Sequence, residues 1–269
     1  MTVTQGVAPS RLTPRSLGGL PLGKVSEMSP HVNALIYGEP GVGKTRLIGS
    51  ADAVPQMRKV LILDVDGGAL SVKDVYPNVE RLRITNFAQL EAVHRDLHAD
   101  ASHGFQTVSI DTGTEAQKYS MAAIMRDVVI KAAEKGEARD PDVPSMREWG
   151  ITQEQVRRVV RKYRDLPLNF FMTCHVKDDK DEKTGITKKA PDLPGKLARQ
   201  IAGFFDVVLY MYSKEVVNPE TKEKKELRLL MSSATERITA KDRTDKLDAI
   251  VQTCTMTHLY NTMTGEIKK

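Results

Sequence analysis

The chain has 269 residues, 40% of them hydrophobic and 28% charged, with a formal net charge of +5. That length suits one large α/β domain with a short appendage. No apolar run approaches a membrane span, and the opening "MTVTQGVAPSRLTPRSLGGL" lacks the apolar stretch of a secretory signal. Cys174 and Cys254 are too few for a disulfide framework, so the reading is a protein of a reducing cytoplasm with no membrane partner. A sequence pI near 9.1 permits nucleic acid as a partner without demanding it.

Residues 1–30 are rich in Pro, Gly, Ser and Thr and carry no sustained period, which predicts a flexible N-terminal arm ahead of a core spanning 31–269. From Val32 strand and helix patterns alternate. Apolar runs predict buried strands at "ALIY" (34–37), "VLILDV" (60–65), "TVSID" (107–111), "NFFMTC" (169–174) and "DVVLYMY" (206–212). "ELRLLMSS" (226–233) adds another, and "RLRI" (81–84) a weaker one. Helical patterns cover 45–51, 87–99, 114–135, 153–166 and 196–205. Continuous apolar strands separated by helices predict an α/β fold, a mostly parallel sheet with helices on both faces. Two connections, 134–150 and 176–195, are long, charged and broken by Pro and Gly, the pattern of functional or irregular loops.

"GEPGVGKT" fits G-x-x-x-x-G-K-[ST], follows a predicted strand and opens a predicted helix. Glycines in such a loop let backbone N–H groups converge on an anion. The nucleotide-binding candidates are therefore Gly38, Glu39, Pro40, Gly41, Val42, Gly43, Lys44, Thr45 and Arg46. Lys44 has the reach for β- and γ-phosphates, and Thr45 offers a hydroxyl to Mg²⁺. Asp111, at the tip of an apolar strand, is the second candidate for the metal. Thr112 follows it, where ring ATPases of the AAA+ type and many helicases place a catalytic Glu. The water-activating carboxylate must then come from elsewhere; RecA-type ATPases place it at the end of the strand after the phosphate-loop helix, and a resemblance to them would offer Asp64 and Asp66.

"GEPGVGKT", "LILDVDGG", "TVSIDT", "FFMTCH" and "TAKDRTDKL", in that order, make the chain resemble phage RecA/RadA-type core ATPases, the single-strand annealing proteins of the Sak-four type. The resemblance spans roughly Val32 to Leu247 and implies a RecA-type P-loop core, an ATPase using ATP and Mg²⁺. Asp66 then takes the place of the family's usual Glu, one methylene short, so either the backbone sits closer to the γ-phosphate or turnover is slow. His175 would sense the γ-phosphate. Lys241 and Arg243 would reach a neighbouring subunit's nucleotide, so a homo-oligomer, ring or filament, is expected.

The same resemblance places single-stranded DNA on the two long loops. Arg139, Arg147 and Trp149 are candidates in the first, and Lys177, Lys183, Lys188, Lys189, Lys196 and Arg199 in or just after the second. The implied role is ATP-dependent single-strand binding in recombination, by annealing or strand pairing, in a phage-infected bacterial cytoplasm. A single-strand-binding protein is a candidate partner. An ATP-gated loader or adaptor acting on a protein, and a helicase-type motor, remain alternative readings. His94 and His98 lack the Glu of a zinc-protease motif, and the Cys-His pairs do not assemble a zinc site by spacing.

Overall fold

The computed structural model describes residues 16–24, 31–180, 185–217 and 224–265. Met1–Pro30 and His31–Lys269 are separate compact units. In the first, Ser16–Leu17 (β1) and Leu20–Pro21 (β2) pair antiparallel around Gly18 and Gly19. That stretch of the predicted flexible arm is thus a small hairpin. The rest of the arm lies outside the described residues.

The second unit begins with Asn33–Gly38 (β3), Lys44–Gly49 (α1), Val60–Asp64 (β4), Glu80–Arg83 (β5) and Phe87–Ala99 (α2). Thr107–Asp111 (β6), Gly113–Glu134 (α3), Met146–Arg164 (α4) and Asn169–Cys174 (β7) follow. Val176–Lys180 (β8) and Thr187–Pro191 (β9) form a separate antiparallel hairpin. Leu197–Ala202 (α5), Val207–Val217 (β10), Lys224–Met231 (β11), Lys241–Asp242 (β12), Ile250–Val251 (β13) and Met256–Thr264 (α6) complete it.

Among the described residues the main sheet has nine strands, ordered β13-β11-β10-β3-β7-β6-β4-β5, with β12 beside the start of β10. From β10 to β5 every pairing is parallel; β11, β12 and β13 add antiparallel partners. This is the α/β RecA-like P-loop core. Alternation along each strand divides the interior in two. Leu35, Tyr37, Phe170 and Val208 face the helix layer that supplies Val160, Tyr163 and Ile201. Ala34, Ile36, Phe171 and Leu209 face Leu47 and Ile48 of α1 and Leu259 and Met263 of α6. Each fully buried large apolar side chain contributes about 1.5–3 kcal/mol.

Three segments depart from the sequence expectation. The "loop" at 134–150 ends early, because Ser145 and Glu148 form a reciprocal capping box that starts α4 at Met146. The "loop" at 176–195 contains β8 and β9. The final segment, with Met256, Leu259, Tyr260 and Met263 at helical spacing, folds as α6 between a Thr255 cap and Gly265.

Candidate functional site

β3 delivers the chain to the loop through Gly38, which must be glycine. A Cβ there would stand 2.1 Å from the Met211 carbonyl oxygen on β10, the residue paired with Gly38. Gly43 closes the loop at φ 109°, a conformation that L side chains rarely adopt, and its carbonyl accepts from Leu47 N at 2.9 Å to start α1. Val42 sends its side chain into the core, so only its backbone serves the loop.

Lys44 is buried, and its Nζ donates to the carbonyls of Gly38 and Glu39, both at 2.9 Å. Burial pulls its pKa below the ordinary lysine value, against the attraction of Asp111 and Asp66. Thr45 Oγ1 donates to Asp111 Oδ2 at 2.6 Å, and the other Asp111 oxygen accepts from the Thr173 hydroxyl on β7. Burial raises the pKa of Asp111, while the two hydroxyl bonds oppose the rise. An ionised carboxylate held this deep favours a cation beside it. Carboxylate and hydroxyl are hard oxygen donors of the kind Mg²⁺ takes, so this pair fits the metal the fold implies.

Asp66 stands at the exposed mouth of the site. Its Oδ1 accepts from Gly68 N at 2.9 Å. A Cβ on Gly68 would lie 3.0 Å from Asp66 Oδ1, 3.4 Å from Thr45 Oγ1 and 3.8 Å from Asp111 Oδ2, so three oxygens converge on one glycine. Asp64, the other carboxylate of this strand end, is fully buried. It accepts from Gly67 N at 2.8 Å and Arg81 Nε at 2.6 Å, so it braces the turn and does not face the cavity. Thr112 caps α3 by accepting from Glu115 N at 3.2 Å. His175 follows β7, its backbone N donating to Thr114 Oγ1 at 3.0 Å, and its Nδ1 has no partner among the described residues.

Lys44, Thr45, Asp66, Gly68, Asp111, Thr112 and His175 line one cavity of about 290 Å³, together with Pro40, Gly41, Gly43, Arg46, Ser71 and Arg228. Arg228 in the lining, and Thr173 behind Asp111, are additions that the sequence pattern did not single out. The "TC" before His175 could have pointed to Thr173, because alternation puts it on the strand face opposite Cys174.

Lys241 and Arg243 are elsewhere. Lys241 pairs with Val208, three residues before Met211 on β10 and so about 10 Å down the strand from the phosphate loop. Its Nζ donates to the carbonyls of Phe205 (2.6 Å) and Ala202 (3.4 Å). Arg243 binds Asp206 Oδ1 and the Gly203 carbonyl, each at 3.0 Å. Both cations secure the end of α5 within their own chain. Neither side chain lines the cavity of its own chain.

The DNA candidates are dispersed. Arg139 donates to Glu148 and to the Val143 carbonyl, which ties it to the α4 cap. Arg147 and Trp149 are exposed on the first turns of α4, not on a loop. Lys177 donates to the Leu193 carbonyl and Lys189 to Asp178. Lys188 is half-buried, whereas Lys196 and Arg199 are exposed at α5. Lys183 lies outside the described residues.

A phosphate loop at the carboxyl end of a parallel sheet, facing a buried metal-type aspartate, defines a P-loop nucleotide hydrolase. An AAA domain family model matches residues 31–244, and the chain belongs to that family. Within it, Thr112 is a helix cap and leaves Asp66 as the carboxylate at the cavity mouth. Among curated proteins none matches the chain. Among the described residues no helix is long and apolar enough to cross a membrane.

Proposed function

We propose that the chain binds and slowly hydrolyses ATP with Mg²⁺ and uses that cycle to control its grip on single-stranded DNA, in annealing or strand pairing during phage recombination. The observation that carries the nucleotide half is the Thr45–Asp111 contact with Lys44 and Asp66 alongside. Thr45 and Asp111 would hold the magnesium ion, which when bound would supply charge neutralisation at the phosphates. Lys44 exchanges the carbonyls of Gly38 and Glu39 for phosphate oxygens. Asp66 orients the attacking water, and its short side chain, already engaged by Gly68 N, makes that step slow.

The DNA half rests on the resemblance and on the connectivity beyond His175. Thr114 Oγ1 accepts from His175 N and donates to the Asp192 carbonyl, while Asp192 N donates to the His175 carbonyl. Those bonds join the cavity wall to both ends of the β8–β9 hairpin, where Lys177, Lys188 and Lys189 sit, and to the start of α3. A shift of His175 towards a phosphate is therefore felt by the hairpin. Arg147 and Trp149, with Lys196 and Arg199, offer phosphate neutralisation and base stacking on the exposed surface.

A second reading, an ATP-gated adaptor for a protein, is favoured by Val143 and Met146, which are 59% and 86% exposed beside Trp149. Fluorescence anisotropy of a labelled oligonucleotide separates the two. The DNA reading expects binding with a non-hydrolysable ATP analogue, weakening with salt, and much weaker binding with ADP. No binding in either state, with hydrolysis intact, would overturn it in favour of the adaptor.

A further inference from the structure

We propose that Arg228 is a phosphate-binding residue acting within its own chain, supplying the second cation of the nucleotide pocket. The proposal rests on the nucleotide-binding reading above. β10 runs past the end of β3: Met211 pairs with Gly38, and Ser213, two residues on, pairs with Arg228 of β11. The β10–β11 hairpin therefore rises beside the phosphate loop. Strand alternation sets Arg228 on the same face as Leu230, which is buried in the α1-side core with Met211. Its guanidinium reaches the loop itself: a Cβ on Gly43 would lie 3.4 Å from Arg228 Nη1 and 3.5 Å from its Cδ.

The side chain lines the cavity shared by Lys44, Thr45, Asp66 and Asp111. Among the described residues Arg228 has no ion-pair partner, and the one hydrogen bond it makes outside the β-ladder is accepted by its backbone carbonyl, from Cys254 Sγ at 3.1 Å. That thiol holds the strand while the guanidinium is left to the cavity. An arginine fork matches phosphate oxygens in two directions at once, a geometry that lysine lacks. The phosphate chain of a nucleotide, and not its base, is the group that this cation meets, because Gly43 belongs to the phosphate-wrapping turn.

Calorimetric titration with the non-hydrolysable analogue AMP-PNP and Mg²⁺ tests this without relying on turnover. Arg228 is exposed on its strand, so Arg228→Ala is expected to fold, with circular dichroism as the check. The expected result is about a tenfold or greater loss of affinity in Arg228→Ala, with part of it restored in Arg228→Lys. Arg243→Ala should bind as the parent does. Affinity within twofold of the parent in Arg228→Ala would overturn the proposal, as would Arg228→Lys binding no better than Arg228→Ala. Titration at a concentration where sedimentation shows monomers fixes the chain: an Arg228→Ala loss that appears only in assembled protein would mean action in trans and would also overturn it. A parent that does not bind AMP-PNP at all would instead overturn the nucleotide reading on which the proposal stands.

Discussion

The strand extension β10–β12 carries arginine or lysine at both of its ends, and the two ends use them differently. At the phosphate-loop end Arg228 lies over Gly43 and lines the cavity with Lys44, Thr45, Asp66 and Asp111. At the other end Lys241 and Arg243 hold the carbonyls of Ala202, Gly203 and Phe205 and the carboxylate of Asp206. A cation whose hydrogen bonds close on its own fold contributes stability; one left facing a cavity is available to a ligand. Spacing alone cannot tell them apart, because the same-facing pair in "TAKDR" reads identically at either end of a sheet.

The sharpest way to break that comparison is at Lys44, the pocket cation nearest the metal-type pair. Lys44→Ala should lower ATP turnover at least about a hundredfold while thermal unfolding stays close to the parent, since the side chain's partners are two loop carbonyls. A folded variant with parental turnover would remove the pocket from the account. Asp66→Asn should lower turnover to a similar or slightly smaller extent, about a hundredfold, with AMP-PNP affinity changed less than about threefold. Asp66→Glu should alter the rate again, and an Asp66→Asn enzyme as fast as the parent would show that Asp66 positions nothing.

The far end predicts the opposite signature. Lys241→Ala leaves the α5 carbonyls without their donor and should cost about 1–2 kcal/mol in denaturant unfolding. Turnover per folded molecule should be unchanged. Arg243→Ala, at a more exposed pair, should cost less than about 1 kcal/mol. A collapse of turnover in either variant without loss of stability would restore the idea of a finger reaching a neighbour.

Asp111 sharpens the same contrast between ligand and fold. Its folded pKa lies above the unfolded value of 3.8, so above the folded pKa its ionisation is a cost to the nucleotide-free protein. That cost disappears as pH falls through the folded pKa. Asp111→Asn should therefore melt higher than the parent at neutral pH, by a few degrees, with the gap narrowing as pH falls towards 3.8. It should also lose Mg²⁺-dependent hydrolysis. A variant that melts lower than the parent at neutral pH would contradict the sign.

Much of this site was legible in the sequence because it is built from strand ends. Apolar runs placed β3, β4, β6 and β7, and a parallel sheet then forces their carboxyl ends together, bringing Lys44, Thr45, Asp66, Asp111 and His175 to one cavity. Arg228 was not legible. "ELRLLMSS" reads as one more strand, and only the length of β10 beyond Met211 carries its arginine to the loop. The contacts of Lys241 and Arg243 were not legible for a related reason, because their position depends on β12 pairing with the beginning of β10 and not its end. The β8–β9 hairpin hid in a run of charges, where cross-strand pairs such as Lys189–Asp178 substitute for an apolar signal.

The most direct test of a nucleotide pocket completed by its own chain is a structure of the protein with AMP-PNP and Mg²⁺. The account predicts the metal at Thr45 and Asp111, and the phosphates contacted by Lys44 and by Arg228 of the same chain. Phosphates bound away from Lys44, or met by Lys241 and Arg243 of another copy while Arg228 stands clear, would contradict it.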